Sequence, residues 1–270
     1  MNRTVAIVIP VYKSIISENE MKSLHSCCRV LKNYNFLLIA PQELNTNIYE
    51  KEFKLNKINY QIIFFEQKYF YDVSRYNYLL LSKNFYEHFV DYEYILIYQL
   101  DAYVFRDELL TWCELDFDFI GAPLIGRWND TTFSTNIRVG NGGLSLRKVK
   151  TFLQYFDSKK NVFNVKQIIQ LIQLWEKPYT RIFVLLLMLM GWRNKPLSVA
   201  ENWKYNEDDF WTGLLDNSNY ALKKPSPNKA LEFSFERFPK ECFQLIGKLP
   251  FGCHGWEKYQ YKEFWINYIF

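Results

Sequence analysis

The sequence predicts an α/β fold: a mostly parallel sheet flanked by helices, with a helical insertion in the C-terminal half. Three observations carry this. Short apolar runs rich in β-branched and aromatic residues alternate with amphipathic stretches from Val5 to Asp101. Each run closes on Pro or on a polar residue. Beyond them, Val149–Trp192 carries helical spacing with few breakers. Strands alternating with helices imply βαβ units, whose strands run parallel.

Taken in order, Val5–Ile9 is an uninterrupted apolar run, as a strand buried on both faces requires. Glu18–Leu31 has helical spacing through Met21, Leu24, Cys28 and Leu31. Phe36–Ala40, closed by Pro41, and Tyr60–Phe65 are the next strands. Val73–Phe89 fits one helix, and Tyr94–Leu100 is a strand that stops at Asp101. Phe117–Pro123 is a short strand ending in a Gly/Pro turn, followed by the polar stretch Arg127–Ile137. Ala230–Glu236 alternates with period two, which predicts a strand. No repeat or linker divides the chain, so residues 1–270 form one domain, with 1–125 as a nucleotide-binding half and 126–270 as an acceptor and catalytic half.

Composition narrows the function classes. The net charge is only +4, and Lys and Arg are scattered among acids, so no nucleic-acid partner is indicated. Aromatic residues reach 19%, which suits stacking on sugar rings, although an AT-rich coding sequence is the stronger explanation. Five cysteines without repeated spacing form neither a disulfide framework nor a zinc site, which points to a reducing cytoplasm. Val5–Ile9, ended by Pro10, is too short for a secretory signal. Ile182–Met190 is also too short to cross a bilayer, which needs roughly 20 apolar residues. A buried helix is the plainer reading of that run; with Lys177, Arg181 and Arg193 beside it, a peripheral helix on the inner face of the membrane is the other.

In parallel sheets ligands bind beyond the carboxyl ends of the strands, so polar residues there are read for function first. Gln99-Leu100-Asp101 ends a central strand, and its carboxylate could hold Mg²⁺ or Mn²⁺ against a diphosphate, or merely cap the next element. Gly140-Asn141-Gly142-Gly143 permits positive φ and close backbone approach, although a hairpin turn also explains Asn-Gly. Glu207-Asp208-Asp209 sets three carboxylates together, a means of tuning a general base, or a solvated helix start. His254, between Cys253 and Gly255, is unlike a core histidine, and its imidazole would complete a cation site begun by Asp101. His88, within a helical stretch, reads as structural.

Together these segments resemble GT-A (Rossmann-like) glycosyltransferases. They are closest to a family of bacterial and fungal domains long catalogued as of unknown function. Gln99–Asp101, Gly140–Arg147, Glu207–Trp211 and Pro250–Trp256 stand where that family has Gln-x-Asp, Gly-Asn-Gly-Gly-x-Ser-Leu-Arg, Glu-Asp-x-Phe-Trp and Pro-Phe-Gly-x-His-Gly-Trp. A looser resemblance runs to β-1,4-galactosyltransferases. It aligns Asp101 with the second Asp of a DxD motif, with Gln99 replacing the first; the other register pairs Asp101 and Tyr103.

The resemblance implies transfer of a sugar from a nucleotide-diphosphate donor, UDP-sugar favoured, to a hydroxyl of a glycan or glycolipid, with inversion. It implies Asp101 and His254 as ligands of Mn²⁺ or Mg²⁺, Asp208 as base, and Glu207 orienting the acceptor or Asp208. Independently of the family, Pro10, Val11 and Tyr12 at the end of the first strand would border the nucleotide, and Arg75 would reach a phosphate or simply stand on a helix surface. Gln99, Asn141, Gly142, Gly143, Asp209 and Trp211 would line the substrates, and Trp128 would close a lid over the donor. Two other classes remain open: a non-catalytic sugar- or nucleotide-binding module, and a metal-dependent phosphohydrolase or nucleotidyltransferase.

Overall fold

A computed structural model describes residues 3–126, 130–134, 137–175, 177 and 180–270, in two compact units. One unit comprises Met1–Phe70, Asp91–Lys148 and Lys223–Phe270; the other comprises Tyr71–Val90 and Val149–Leu222.

The first unit carries the strands. They are β1 (Arg3–Pro10), β2 (Asn35–Pro41), β3 (Tyr60–Phe65), β4 (Tyr92–Tyr98), β5 (Ala102–Val104), β6 (Phe119–Gly121), β7 (Pro123–Ile125), β8 (Ile137–Val139), β9 (Leu144–Lys148), β10 (Ser234–Phe235) and β11 (Gly252–His254). Six of them form a sheet in the order β3-β2-β1-β4-β9-β6, with β3, β2, β1 and β4 mutually parallel and β9 antiparallel to β4 and β6. The predicted mostly parallel sheet flanked by helices is thus present. Its order reverses at β1, since β2 follows on one side and β4 returns on the other, which puts a switch point at the carboxyl ends of β1 and β4. A three-stranded sheet, β10-β11-β5, continues from that edge.

Local chemistry explains the helices. Ser17 and Glu20 form a reciprocal capping box that starts Glu18–Val30, whose Leu24, Cys27 and Cys28 enter the core against β1 and β4. A helix over Asn47–Leu55, which the sequence reading did not anticipate, buries Tyr49 and Phe53 on the same side. The stretch Ala230–Glu236 departs from expectation. Pro227–Phe233 is a helix, because Ser226 caps it through the Lys229 amide and Pro227 occupies its first turn; only Ser234–Phe235 is strand.

The second unit is helical, which accounts for the insertion expected in the C-terminal half. The helix predicted over Val73–Phe89 is two, Val73–Leu80 and Lys83–Glu87, because the Ser82 hydroxyl accepts from the Phe85 amide and starts a new helix. Trp211 lies at the centre of this unit's packing, with the rings of Tyr86, Phe152, Tyr155, Phe156 and Phe210 at centroid distances of 4.6–6.3 Å. The Arg181–Leu189 helix overturns the buried reading of Ile182–Met190. Only Val184 and Met188 within it are buried, while Ile182, Phe183, Leu186 and Leu189 stand exposed. Among the described residues no helix is long and apolar enough to cross a membrane.

Candidate functional site

Asp101 sits in the turn between β4 and β5, and His254 ends β11, which pairs antiparallel with β5 in the register His254↔Ala102. The Gly255 amide donates to the Asp101 carbonyl at 2.9 Å, so backbone pairing alone sets these two residues side by side. Their side chains meet: His254 Nε2 is 3.0 Å from Asp101 Oδ1. The Gln99 side-chain oxygen, Oε1, lies 3.3 Å from the same nitrogen. The other ring nitrogen, Nδ1, is 3.2 Å from Glu236 Oε1, which also accepts from Asn141 Nδ2 at 3.1 Å.

The glycine segment is built around this imidazole. The Asn141 side chain accepts from the Gly143 amide at 2.8 Å, and the Gln99 amide donates to the Gly143 carbonyl at 2.9 Å. The Gly142 carbonyl accepts from the Ser145 hydroxyl at 2.8 Å and from buried Arg147 at 3.4 Å. A Cβ at Gly143 would stand 2.0 Å from His254 Nε2. Gly143 therefore serves close approach rather than positive φ, and what approaches is the histidine of the chain itself.

Electrostatics lock the cluster. Burial would raise the Asp101 carboxyl, but the charge and hydrogen bond of His254, then Lys258, hold it well below the usual carboxylate range. Burial would lower His254; Asp101 and Glu236 overcome it and push the imidazole up to about 10. With a carboxylate on each nitrogen, His254 in this state is an imidazolium. Lys258 Nζ completes the group, 2.8 Å from Asp101 Oδ2.

Several assignments change. Pro10 and Val11 are buried and offer a ligand no side-chain surface; Tyr12 alone of the three is exposed, beside Lys13. Trp211 is fully buried by its neighbouring rings, so it packs the second unit and cannot stack on a substrate. Glu207, Asp208 and Asp209 form the acidic first turn of the Glu207–Thr212 helix, also in the second unit, with Glu207 buried and both Asp half-buried. Arg75 is exposed in the first turn of Val73–Leu80. Trp128 lies outside the described residues.

Sequence reasoning missed Glu236 and Lys258. Glu236 stood in a stretch read only for its apolar alternation; an acid directly after Phe-Ser-Phe was the available signal. Lys258 lies four positions after His254, where a cation could have been sought for Asp101.

Toward a divalent cation these residues offer a partial donor set. Among the described residues no group of three or more His, Cys, Asp or Glu could hold an ion alone. Asp101 Oδ1 and His254 Nε2 converge as an oxygen and nitrogen pair, Gln99 adds a carbonyl oxygen, and Glu236 fixes the far side of the ring as an orienting carboxylate does in metal sites. Buried Glu236 Oε2 has no hydrogen-bond partner among the described residues. Hard cations that keep waters and substrate phosphates need no more protein ligands than this.

Solved structures offer distant likenesses. The glycosyltransferase GlyE of Streptococcus pneumoniae is 14% identical over 94% of this chain and 55% of its own, with a TM-score of 0.47. TarS of S. aureus is 12% identical, covering 85% of this chain and 38% of its own, with a TM-score of 0.42. Core-mannan synthase A of Aspergillus fumigatus, in its Mn/GDP form, is 10% identical over 77% and 71%, with a TM-score of 0.40. The chain thus spans about half the length of the first of these. No curated protein matches it. One family model does match, over residues 59–254, most of the chain and nearly all of the cluster just described: the protein belongs to the family described as protein of unknown function (DUF5672).

Proposed function

We propose that this protein transfers a sugar from a nucleoside-diphosphate sugar to a hydroxyl acceptor on a glycan or glycolipid. The observation that carries the reading is the convergence of Asp101 and His254, 3.0 Å apart, at the carboxyl end of β4 beside the sheet's switch point. Asp101 and His254 would hold Mn²⁺ or Mg²⁺. A bound cation supplies neutralisation of the charge that develops on a departing diphosphate. As a ligand His254 would have to give up the Nε2 proton it shares with Asp101, while its Nδ1–H would stay on the ring and donate to Glu236, which keeps the ring oriented. Asn141 holds Glu236, and Tyr12 offers an exposed ring at the end of β1 for the base of the nucleotide. Asp208 is proposed as the base that takes the acceptor proton, on the strength of its acidic segment alone.

Lys258 favours a second reading, a sugar-nucleotide-binding module without turnover, because its ammonium already neutralises Asp101. Nucleoside-diphosphate release from a panel of UDP- and GDP-sugars, with Mn²⁺ and with chelator, separates the two. Transfer requires release that depends on the cation and is lost in Asp101→Asn and His254→Gln, and sugar transfer that is lost in Asp208→Asn. Lys258→Met should bind the cation several-fold more tightly. Release that persists in Asp101→Asn would sink the cation assignment, and donor binding without release would leave the module. Diphosphate cleavage that survives Asp208→Asn without sugar transfer would identify a phosphohydrolase.

A further inference from the structure

We infer that the Arg181–Leu189 helix and the turn after it form a docking face for an anionic lipid surface. Ile182, Phe183, Leu186, Leu189, Met190 and Trp192 are 44–74% exposed. The five within reach of the helix recur at intervals of i, i+1, i+4, i+7 and i+8, the spacing of one continuous stripe. The opposite stripe, Val184 and Met188, is buried, and this helix packs against Val165–Trp175. Water therefore meets an apolar face where a surface helix normally presents its polar one, and contiguous patches of this kind mark interaction sites.

Charge selects the occupant. From Arg181 to Lys195, the segment that carries the stripe, the chain has three basic residues, Arg181, Arg193 and Lys195, and no acidic one; the next acid, Glu201, ends the following helix. Lys195 Nζ donates to the Lys159 carbonyl at 2.6 Å, and the Val162 amide donates to the Asn194 carbonyl at 2.8 Å. These bonds bring the exposed Lys159 and Lys160 to the same end of the stripe. The nearby acid Asp157 is paired with Lys83 at 2.9 Å. Apolar side chains with a basic border are the composition of helices that lie in the headgroup region of anionic bilayers. A second copy of the chain would bring the same basic border against itself.

Co-sedimentation of the whole chain with phosphatidylglycerol/phosphatidylcholine vesicles tests it, with pure phosphatidylcholine as control and Trp192 emission as a second readout against a Trp192→Phe variant. Binding to the anionic vesicles is expected, with a blue shift that Trp192→Phe removes. Binding should fall at least about tenfold in Ile182→Glu/Leu186→Glu, and by a similar factor in Lys160→Glu/Arg193→Glu. All these positions are exposed, so circular dichroism should be unchanged. Absence of binding to anionic vesicles overturns the inference. So does equal binding to neutral vesicles, or a dimer that Ile182→Glu/Leu186→Glu dissociates while lipid binding is absent.

Discussion

In the strand-bearing unit buried His254 and Glu236 and half-buried Asp101 form a chain of ions, each held by another, whereas in the helical unit the groups withdrawn from water are the rings around Trp211. The ring cluster tolerates a buried Trp211 Nε1 with no partner among the described residues, because area burial outweighs one unmade hydrogen bond. The ion chain has less margin: without His254, Asp101 keeps Lys258, but buried Glu236 is left with only the Asn141 amide. Packing can therefore stabilise a unit by summation, while an ionic site depends on every position being right.

That contrast can be broken by experiment. The largest effect is expected at Trp211→Ala, which should cost about 3–5 kcal/mol in chemical denaturation; a loss near zero would mean the rings do not hold the helical unit together. Next comes Gly143→Ala. Its new methyl would meet His254 Nε2, and such overpacking costs about 1–3 kcal/mol. Cation affinity should fall far more than stability does, and a variant that keeps both would remove the reason given for that glycine.

The smallest effect concerns pH. His254 titrates near 10 in the folded chain against 6.5 ordinarily, so its stabilisation is complete below about 6.5 and is lost as pH rises through about 10. In chelator, the gap in melting temperature between the protein and its His254→Gln variant should accordingly narrow across that window. A gap that stays constant from pH 6 to 10.5 would show that folding does not raise the His254 imidazole.

Much of this was legible beforehand where a residue's role is local. The runs at Val5–Ile9, Phe36–Ala40, Tyr60–Phe65 and Tyr94–Leu100 became β1 to β4 because a strand buried on both faces leaves an uninterrupted apolar signature. Asp101, Asn141 and His254 drew notice because polar residues and glycines at strand ends are rare outside turns and sites. Ala230–Glu236 has period two yet is largely helix, because the Ser226-Pro227 start signal just before it fixes a helix locally. Trp211 differs in kind: an aromatic beside acids has the same sequence whether it faces a substrate or a core.

By itself, then, the sequence determined the parallel sheet, its strand ends and the residue types available there, since alternation and breakers act over a few residues. Tertiary structure decided that Gly143 makes room for His254, that Glu236 joins His254 and Lys258 joins Asp101, and that most of Ile182–Met190 faces outward rather than inward. Each of these is a contact or an exposure set by segments up to 157 residues apart, and no local pattern encodes it.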